Sequence, residues 1–404
     1  MYFCNKLGIL PTSATKKRQY LMENEENSID LFFDTVETHT TNAHMQKKDS
    51  FAGQLCKKGY NVALIGVSEH NQKNGNVADA IRKELYSLKG GFKNLKIADL
   101  GNIKSGSKKN NTFFGLQYVI EQLTSKGIIC IVMGNNQNFT IATVEGVRRH
   151  NNEISLTVLD SRLDLGTSLT MPSKTNENNF LLPLTIHPSV SFCNVLGFQQ
   201  YYCSNSQLQY MEQHNAIDTF ARNVNNIEYT TRIGRLRQNL FKAEPILRDT
   251  DILSIDMNVV RQADAPAATH PSPNGFQGEE ICQLLQYAGT SDRLSVVGLF
   301  GMENKFDQRG QTAALAAQML WHLIEGLDNR AGDYPATSID NCKMMVIPGE
   351  KENELHFYYS DKLQHWWVEV PTKNGKRIMA CQAKDYEEAK MGIKPNVWFR
   401  HFLK

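Results

Sequence analysis

The 404-residue chain lacks any C-x-x-C pair, and its eight cysteines (Cys4, Cys56, Cys130, Cys193, Cys203, Cys282, Cys342 and Cys381) lie scattered. Zinc-ribbon and thioredoxin-like sites therefore have no support, and the spread suits a reduced, cytoplasmic protein better than a disulfide scaffold. No apolar segment reaches the ~18–20 residues a membrane span needs, and the first 21 residues have no hydrophobic stretch of the secretory kind. An excess of one charge is missing too. With 44 basic and 42 acidic side chains the net charge is +2, so no nucleic-acid footprint is expected. There is no G-x-S-x-G elbow and no GK[ST] phosphate loop. Ser254 consequently has no nucleophile's setting, and the pairs at 73–76 and 90–91 read as turns.

What is present is an ordinary globular composition, 41% hydrophobic and 21% charged, enough to form a sizeable core. Apolar runs at Asn61–Val67, Leu95–Leu100, Gly127–Met133, Ile154–Leu159, Ser191–Leu196, Ile252–Ile255 and Leu294–Leu299 read as strands. Helical patterns follow at 77–88, Thr112–Leu123, Gly278–Tyr287 and Thr312–Leu327. This alternation predicts a mainly parallel sheet with helices on both faces. In such sheets ligands bind beyond the carboxyl ends of the strands, and the polar clusters GNNQN, DSRLD and DMN all fall there. Beyond about residue 335 the texture shifts to runs suited to antiparallel strands, KMMVIPG, ELHFYYSD and HWWVEVP, with a short helix at DYEEAKMGI.

The stretch VLDSRLDL (158–165) sets Asp160, Arg162 and Asp164 at the end of an apolar run. If the extended chain continues, the three side chains project to one side. Ionised groups so placed must neutralise each other or hold something.

These strand ends, taken together, resemble the ureohydrolases: arginase, agmatinase and especially formimidoylglutamase. That family carries G-G-D-H, D-A-H-x-D and S-x-D-x-D at successive strand ends. Here the motifs read Gly134-Asn135-Asn136-Gln137, Asp160-Ser161-Arg162-Leu163-Asp164 and Ser254-Ile255-Asp256-Met257-Asn258. The loop ADAPAATHPSPNGF (263–276) and the helix in FDQRGQTAALAAQMLWHLI (306–324) match further family segments in order and spacing. The resemblance implies a three-layer α/β/α arginase-like fold over residues 22–335, with residues 341–404 as a small α+β extension. Residues 1–21 are expected to be a disordered tail or the product of an early start codon.

The resemblance also implies two manganese ions held by two histidines and four aspartates. Carried over position by position, Gln137 and Arg162 stand where the histidines would be, and Asn258 replaces an aspartate. Asp160, Asp164 and Asp256 remain. Arg261-Gln262 replaces an Asp-Pro, and Gly301 stands where a glutamate is expected. Three carboxylates and one guanidinium leave two negative charges, and arginine cannot shed its proton. Two dications are not expected. One weakly bound divalent cation on Asp160, Asp164 and Asp256 would balance the charge, but the leading expectation is no cofactor, with Arg162 bridging the carboxylates itself.

His270 is either a pocket residue or an exposed loop histidine, and His70 has the same two readings. Trp366, Trp367 and Trp398 are either core of the C-terminal extension or part of an interface. The predicted function is a catalytically degenerate ureohydrolase-fold protein acting in binding or scaffolding, with a protein partner, a homo-oligomer or a small guanidino or amidino ligand. The alternative is an active metal-dependent amidinohydrolase of the formimidoylglutamase or arginase type.

Overall fold

The computed structural model describes residues 33–34, 45–47, 55, 59–68, 76–104, 109–215, 230–232, 239–348, 354–372 and 375–399. Its main sheet holds ten strands: β1 (Phe33–Asp34), β2 (Met45–Lys47), β3 (Val62–Gly66), β4 (Ile97–Ile103), β5 (Ile129–Met133), β6 (Ile154–Leu159), β7 (Val190–Phe198), β8 (Thr230–Arg232), β9 (Ile252–Asp256) and β10 (Val296–Phe300). The order is β1-β4-β3-β5-β10-β9-β6-β7-β8, with β2 also on β4. Only the β1–β4 pairing is antiparallel.

Strands β3, β5, β6, β9 and β10 are buried along their whole length, so their apolar runs are continuous rather than alternating. Successive residues still face opposite ways. Ile129, Ile131 and Met133 enter one core, Cys130 and Val132 the other. The first core is covered by helices α1 (Val77–Leu85), α7 (Gly278–Gly289) and α8 (Gln311–Asp328). The second is covered by α2 (Lys109–Thr124), α3 (Thr140–Val147), α4 (Leu181–Thr185) and part of α5 (Asn205–Asn215). Helix starts follow local chemistry. Asn76 caps α1 by accepting from the Ala78 N–H at 3.0 Å, and Gln277 with Glu280 forms a capping box on α7. Helices α7 and α8 approach backbone to backbone at Gly289 and Gly326: a Cβ on Gly289 would lie 2.3 Å from the Leu323 carbonyl oxygen.

The predicted α/β/α layering is what the chain adopts. The seven predicted strands are all present, with β6 at its predicted bounds. The short helices α3, α5 and α6 (Glu244–Arg248) were not predicted. The C-terminal region forms a second, antiparallel sheet, β11 (Lys343–Ile347), β12 (Leu355–Ser360), β13 (His365–Thr372) and β14 (Gly375–Cys381). It follows the short α9 (Pro335–Ser338) and is backed by α10 (Ala383–Lys390) and α11 (Asn396–Phe399). Strand β14 is an addition to the predicted three. Trp367 is 2% exposed; Trp366 stacks on Tyr386 at 5.0 Å, and Trp398 packs against the same core. Trp367 is therefore core, while Trp366 and Trp398 are partly buried.

This second sheet is fastened near the amino ends of β6, β9 and β10. Arg248 Nη2 donates to the Trp366 and Cys381 carbonyls, each at 3.1 Å, while its Nε meets Glu244 at 2.5 Å. Asp249 accepts from the Ala380 N–H at 2.9 Å, and the Tyr334 hydroxyl donates to the Ile378 carbonyl at 3.1 Å. The opposite, carboxyl end of the sheet is left free of it.

Candidate functional site

Four adjacent strands, β5, β10, β9 and β6, end side by side at the carboxyl edge of the sheet. Each hands its chain directly into a turn, and the turns carry the candidate residues. Asp256 closes β9 and accepts from the Asn258 N–H at 2.7 Å. Asp160 follows β6 and accepts from the Arg162 N–H at 2.9 Å. Each aspartate thus uses one oxygen to stabilise its own turn, as short acidic side chains do when a chain leaves regular structure.

The extended chain does not continue past Leu159, so the same-side projection of Asp160, Arg162 and Asp164 fails. The backbone bends at 161–162, and Asp164 sits in the left-handed region at φ +35°. The bend carries Asp164 back against Asp160, and the two carboxyls hydrogen-bond. Two carboxyls can do so only if one keeps a proton.

The electrostatics follow. Burial pushes the Asp160 carboxyl well above the usual carboxylate range, and the neighbouring Asp164 adds to it. Burial, then the charge of Asp160, does the same to Asp256. Asp164 is pushed up to about 7, chiefly by burial, with the hydrogen bond from Asp160 acting in the other direction. A fourth acid, not anticipated from the sequence, adds its negative charge to Asp164 and Asp256: Glu177. It lies exposed on the loop after β6, accepting from Asn136 Nδ2 at 3.0 Å.

Arg162 is the pocket's cation, but it does not bridge the carboxylates as expected. Its guanidinium lies over the Tyr202 ring, 4.2 Å from the centroid, and its Nε is buried with no hydrogen-bond partner. Among the ion pairs of the described residues none involves Arg162. The aromatic face competes successfully for a planar, weakly hydrated cation. Its positive charge still opposes the rise of all three aspartates.

The remaining positions are occupied by amides. Gln137 is 1% exposed; its Nε2 donates to Ser254 Oγ at 3.2 Å, and its Oε1 has no partner. Ser254 is held in turn by Thr140 at 2.6 Å. Asn258 Oδ1 accepts from the His270 N–H at 2.6 Å, and its Nδ2 donates to Thr269 Oγ1 at 3.0 Å. Asn258 therefore fastens the 263–276 loop. The His270 side chain is exposed, and His70 lies outside the described residues. Gly301, at φ +81°, leaves room for Asp256: a Cβ there would stand 2.0 Å from Asp256 Oδ1. Cys203, next to Tyr202, has its thiol pushed up to about 12 by burial and the nearby aspartates, so it is not poised as a nucleophile. Among the described residues, no group of three His, Cys, Asp or Glu side chains is arranged to hold a metal ion.

Sequence reading found Asp160, Asp164 and Asp256 but missed Glu177 and Tyr202. Tyr202 had a usable signal, since QQYYC follows β7 at the same edge of the sheet. Glu177 lies in a polar loop with no periodicity to mark it.

Comparison with known proteins agrees with this architecture. The Arginase family model matches residues 63–325, more than half of the chain. The formimidoylglutamase of Bacillus subtilis is 24% identical over 135 residues, 33% of this chain and 40% of the relative. That of Photorhabdus laumondii is 22% identical over 250 residues, 61% of this chain and 76% of the relative. Among solved structures, Trypanosoma cruzi formiminoglutamase with Mn2+ superposes with a TM-score of 0.59 at 16% identity, covering 68% of this chain and 95% of that one. The Bacillus subtilis enzyme gives 0.58 at 18% identity, covering 74% and 95%. At these identities the likeness to the solved structures is one of fold.

Proposed function

The chain belongs to the arginase family, and from that premise we propose that its carboxylate pocket works without a dinuclear metal centre, in binding or scaffolding rather than hydrolysis. The observation that carries this reading is the donor set. The positions where the resemblance implies histidines hold Gln137 and Arg162, and neither is a ligand for Mn or Zn in the way imidazole is. Gln137 Nε2 is committed to Ser254. Asn258, where an aspartate is implied, uses its oxygen on the His270 N–H. A permanent guanidinium stands among the acids, where each bound dication would have to tolerate it. The residues present do not fit two manganese ions.

Hydrolysis of an amidine at neutral pH needs a metal-activated water or a positioned base beside an electrophile. The pocket offers carboxyls pushed above the usual carboxylate range by burial and a cation held by an aromatic ring. That is a poor water-activating device, and positive charge in the pocket is what favours the ionised carboxyls. The same reading assigns the chain to a reducing, cytoplasmic compartment, in keeping with the free cysteines Cys130, Cys193, Cys203, Cys282, Cys342 and Cys381. No described helix is long and apolar enough to cross a membrane.

The second reading is an active amidinohydrolase, favoured by the names of the matched relatives and by the three retained aspartates. Assays of purified protein with arginine, agmatine and formimidoylglutamate, with Mn2+ or with chelator, separate the two. The expected result is no release of urea or formamide in either condition. Turnover that chelator abolishes establishes the second reading.

A further inference from the structure

We infer that Arg162, stacked on Tyr202, is the built-in counter-cation of the pocket and closes it against diffusible cations. This rests on the reading that no dinuclear centre occupies the site.

The stack is held by the backbone on both sides. The Arg162 N–H is tied to Asp160 at 2.9 Å. The Gln199 N–H donates to the Ser161 carbonyl at 2.9 Å, and the Tyr202 N–H donates to the Gln199 carbonyl at 2.9 Å. The turn after β6 and the turn after β7 are thereby locked together, and they present guanidinium and ring to each other at 4.2 Å. A planar guanidinium on an aromatic face keeps its charge and loses most of its freedom. Asp160, Asp164 and Asp256 come from two strand ends, and Glu177 comes from the covering loop. Arg162 is the cation whose charge reaches all three aspartates. The buried, unpartnered Gln137 Oε1, in the turn after β5, adds a further acceptor at the same edge of the sheet. A pocket so rich in acceptors would take up a cation from solution if it did not carry one of its own.

Chemical rescue tests this on the full chain. Arg162→Ala removes the tethered cation, and methylguanidinium chloride is the probe, read against sodium chloride at the same ionic strength. The expected result is a saturable rise of about 2–4 °C in the unfolding midpoint of Arg162→Ala at tenfold excess over the dissociation constant, with no such rise for the parent. Tyr202→Leu keeps the charge but removes the stack, and is expected to give a smaller rescue. Should Arg162→Ala not accumulate, Arg162→Gln carries the same test. Equal responses of parent and variant, or no response of the variant, overturn the inference. Near-stoichiometric manganese in the parent would overturn the functional reading and this inference with it, whereas failed rescue in a manganese-free parent overturns the inference alone, so the two failures are distinguishable.

Discussion

At the amino end of the main sheet, charged groups meet partners of opposite sign in ion pairs; at the carboxyl end, Arg162 makes none among the described residues. Arg293 reaches Asp251 at 2.9 Å, and Asp251 also accepts from the Ser155 N–H at 2.8 Å. Arg248 binds Glu244 and two carbonyls of the second sheet, while its guanidinium covers Trp367 at 4.6 Å. Arg377 pairs with Glu153 at 3.6 Å. The carboxyl end instead gathers Asp160, Asp164, Asp256 and Glu177 around one arginine that rests on a tyrosine. The first arrangement is fastening: it joins two sheets and gives Arg248, Arg293 and Arg377 carboxylate partners. The second retains unfavourable electrostatics that a purely structural role would have discarded, the pattern expected of a site.

The comparison breaks most visibly if the amino-end network can be cut without consequence. Arg248→Ala leaves Glu244 buried without its partner and frees two carbonyls. We expect a loss of about 3–5 kcal/mol, read by denaturant unfolding, with early proteolysis in β11–β14. A loss below ~1 kcal/mol would mean that the junction does not fasten the second sheet.

At the other end the expected sign is reversed. In the unfolded chain Asp164 ionises above about pH 4; in the folded chain it holds its proton to about 7. The folded state binds more protons in that window, so this group's contribution to stability is fullest below pH 4 and is lost as pH rises to about 7. Asn tolerates the left-handed backbone at 164 and can still accept from Asp160. Asp164→Asn is therefore expected to exceed the parent in stability by roughly 1–3 kcal/mol above pH 7, with the difference vanishing near pH 4. A difference independent of pH would show that the carboxyl is ionised throughout.

A smaller effect sharpens the picture of the loop. Asn258→Ala removes the acceptor of the His270 N–H and the partner of Thr269. About 1–2 kcal/mol should be lost, with faster amide exchange at His270. Unchanged exchange there would free Asn258 from its assigned part in holding the loop.

The sequence revealed the sheet because strands buried on both faces advertise themselves as continuous apolar runs, as in ICIVM of β5. Strand β14, GKRIMAC, starts with three polar residues and gave no such signal. Asp160 and Asp256 were legible because they close apolar runs. The association of Asp164 with Asp160 was not, since it depends on a single left-handed residue. Nor was the pairing of Arg162 with Tyr202, which lies forty residues on and is brought near by the β6–β7 pairing. Reading Arg162 as a bridge between carboxylates rested on charge alone. The aromatic competitor becomes visible only when the turns are joined.

What manganese does to the purified parent protein decides whether the pocket holds a dinuclear centre. The parent's unfolding midpoint should be the same with excess Mn2+ as with chelator, and elemental analysis should find far less than one manganese per chain. A midpoint raised by Mn2+ and lowered by chelator, with manganese approaching two per chain, would contradict the metal-free reading and restore the dinuclear site.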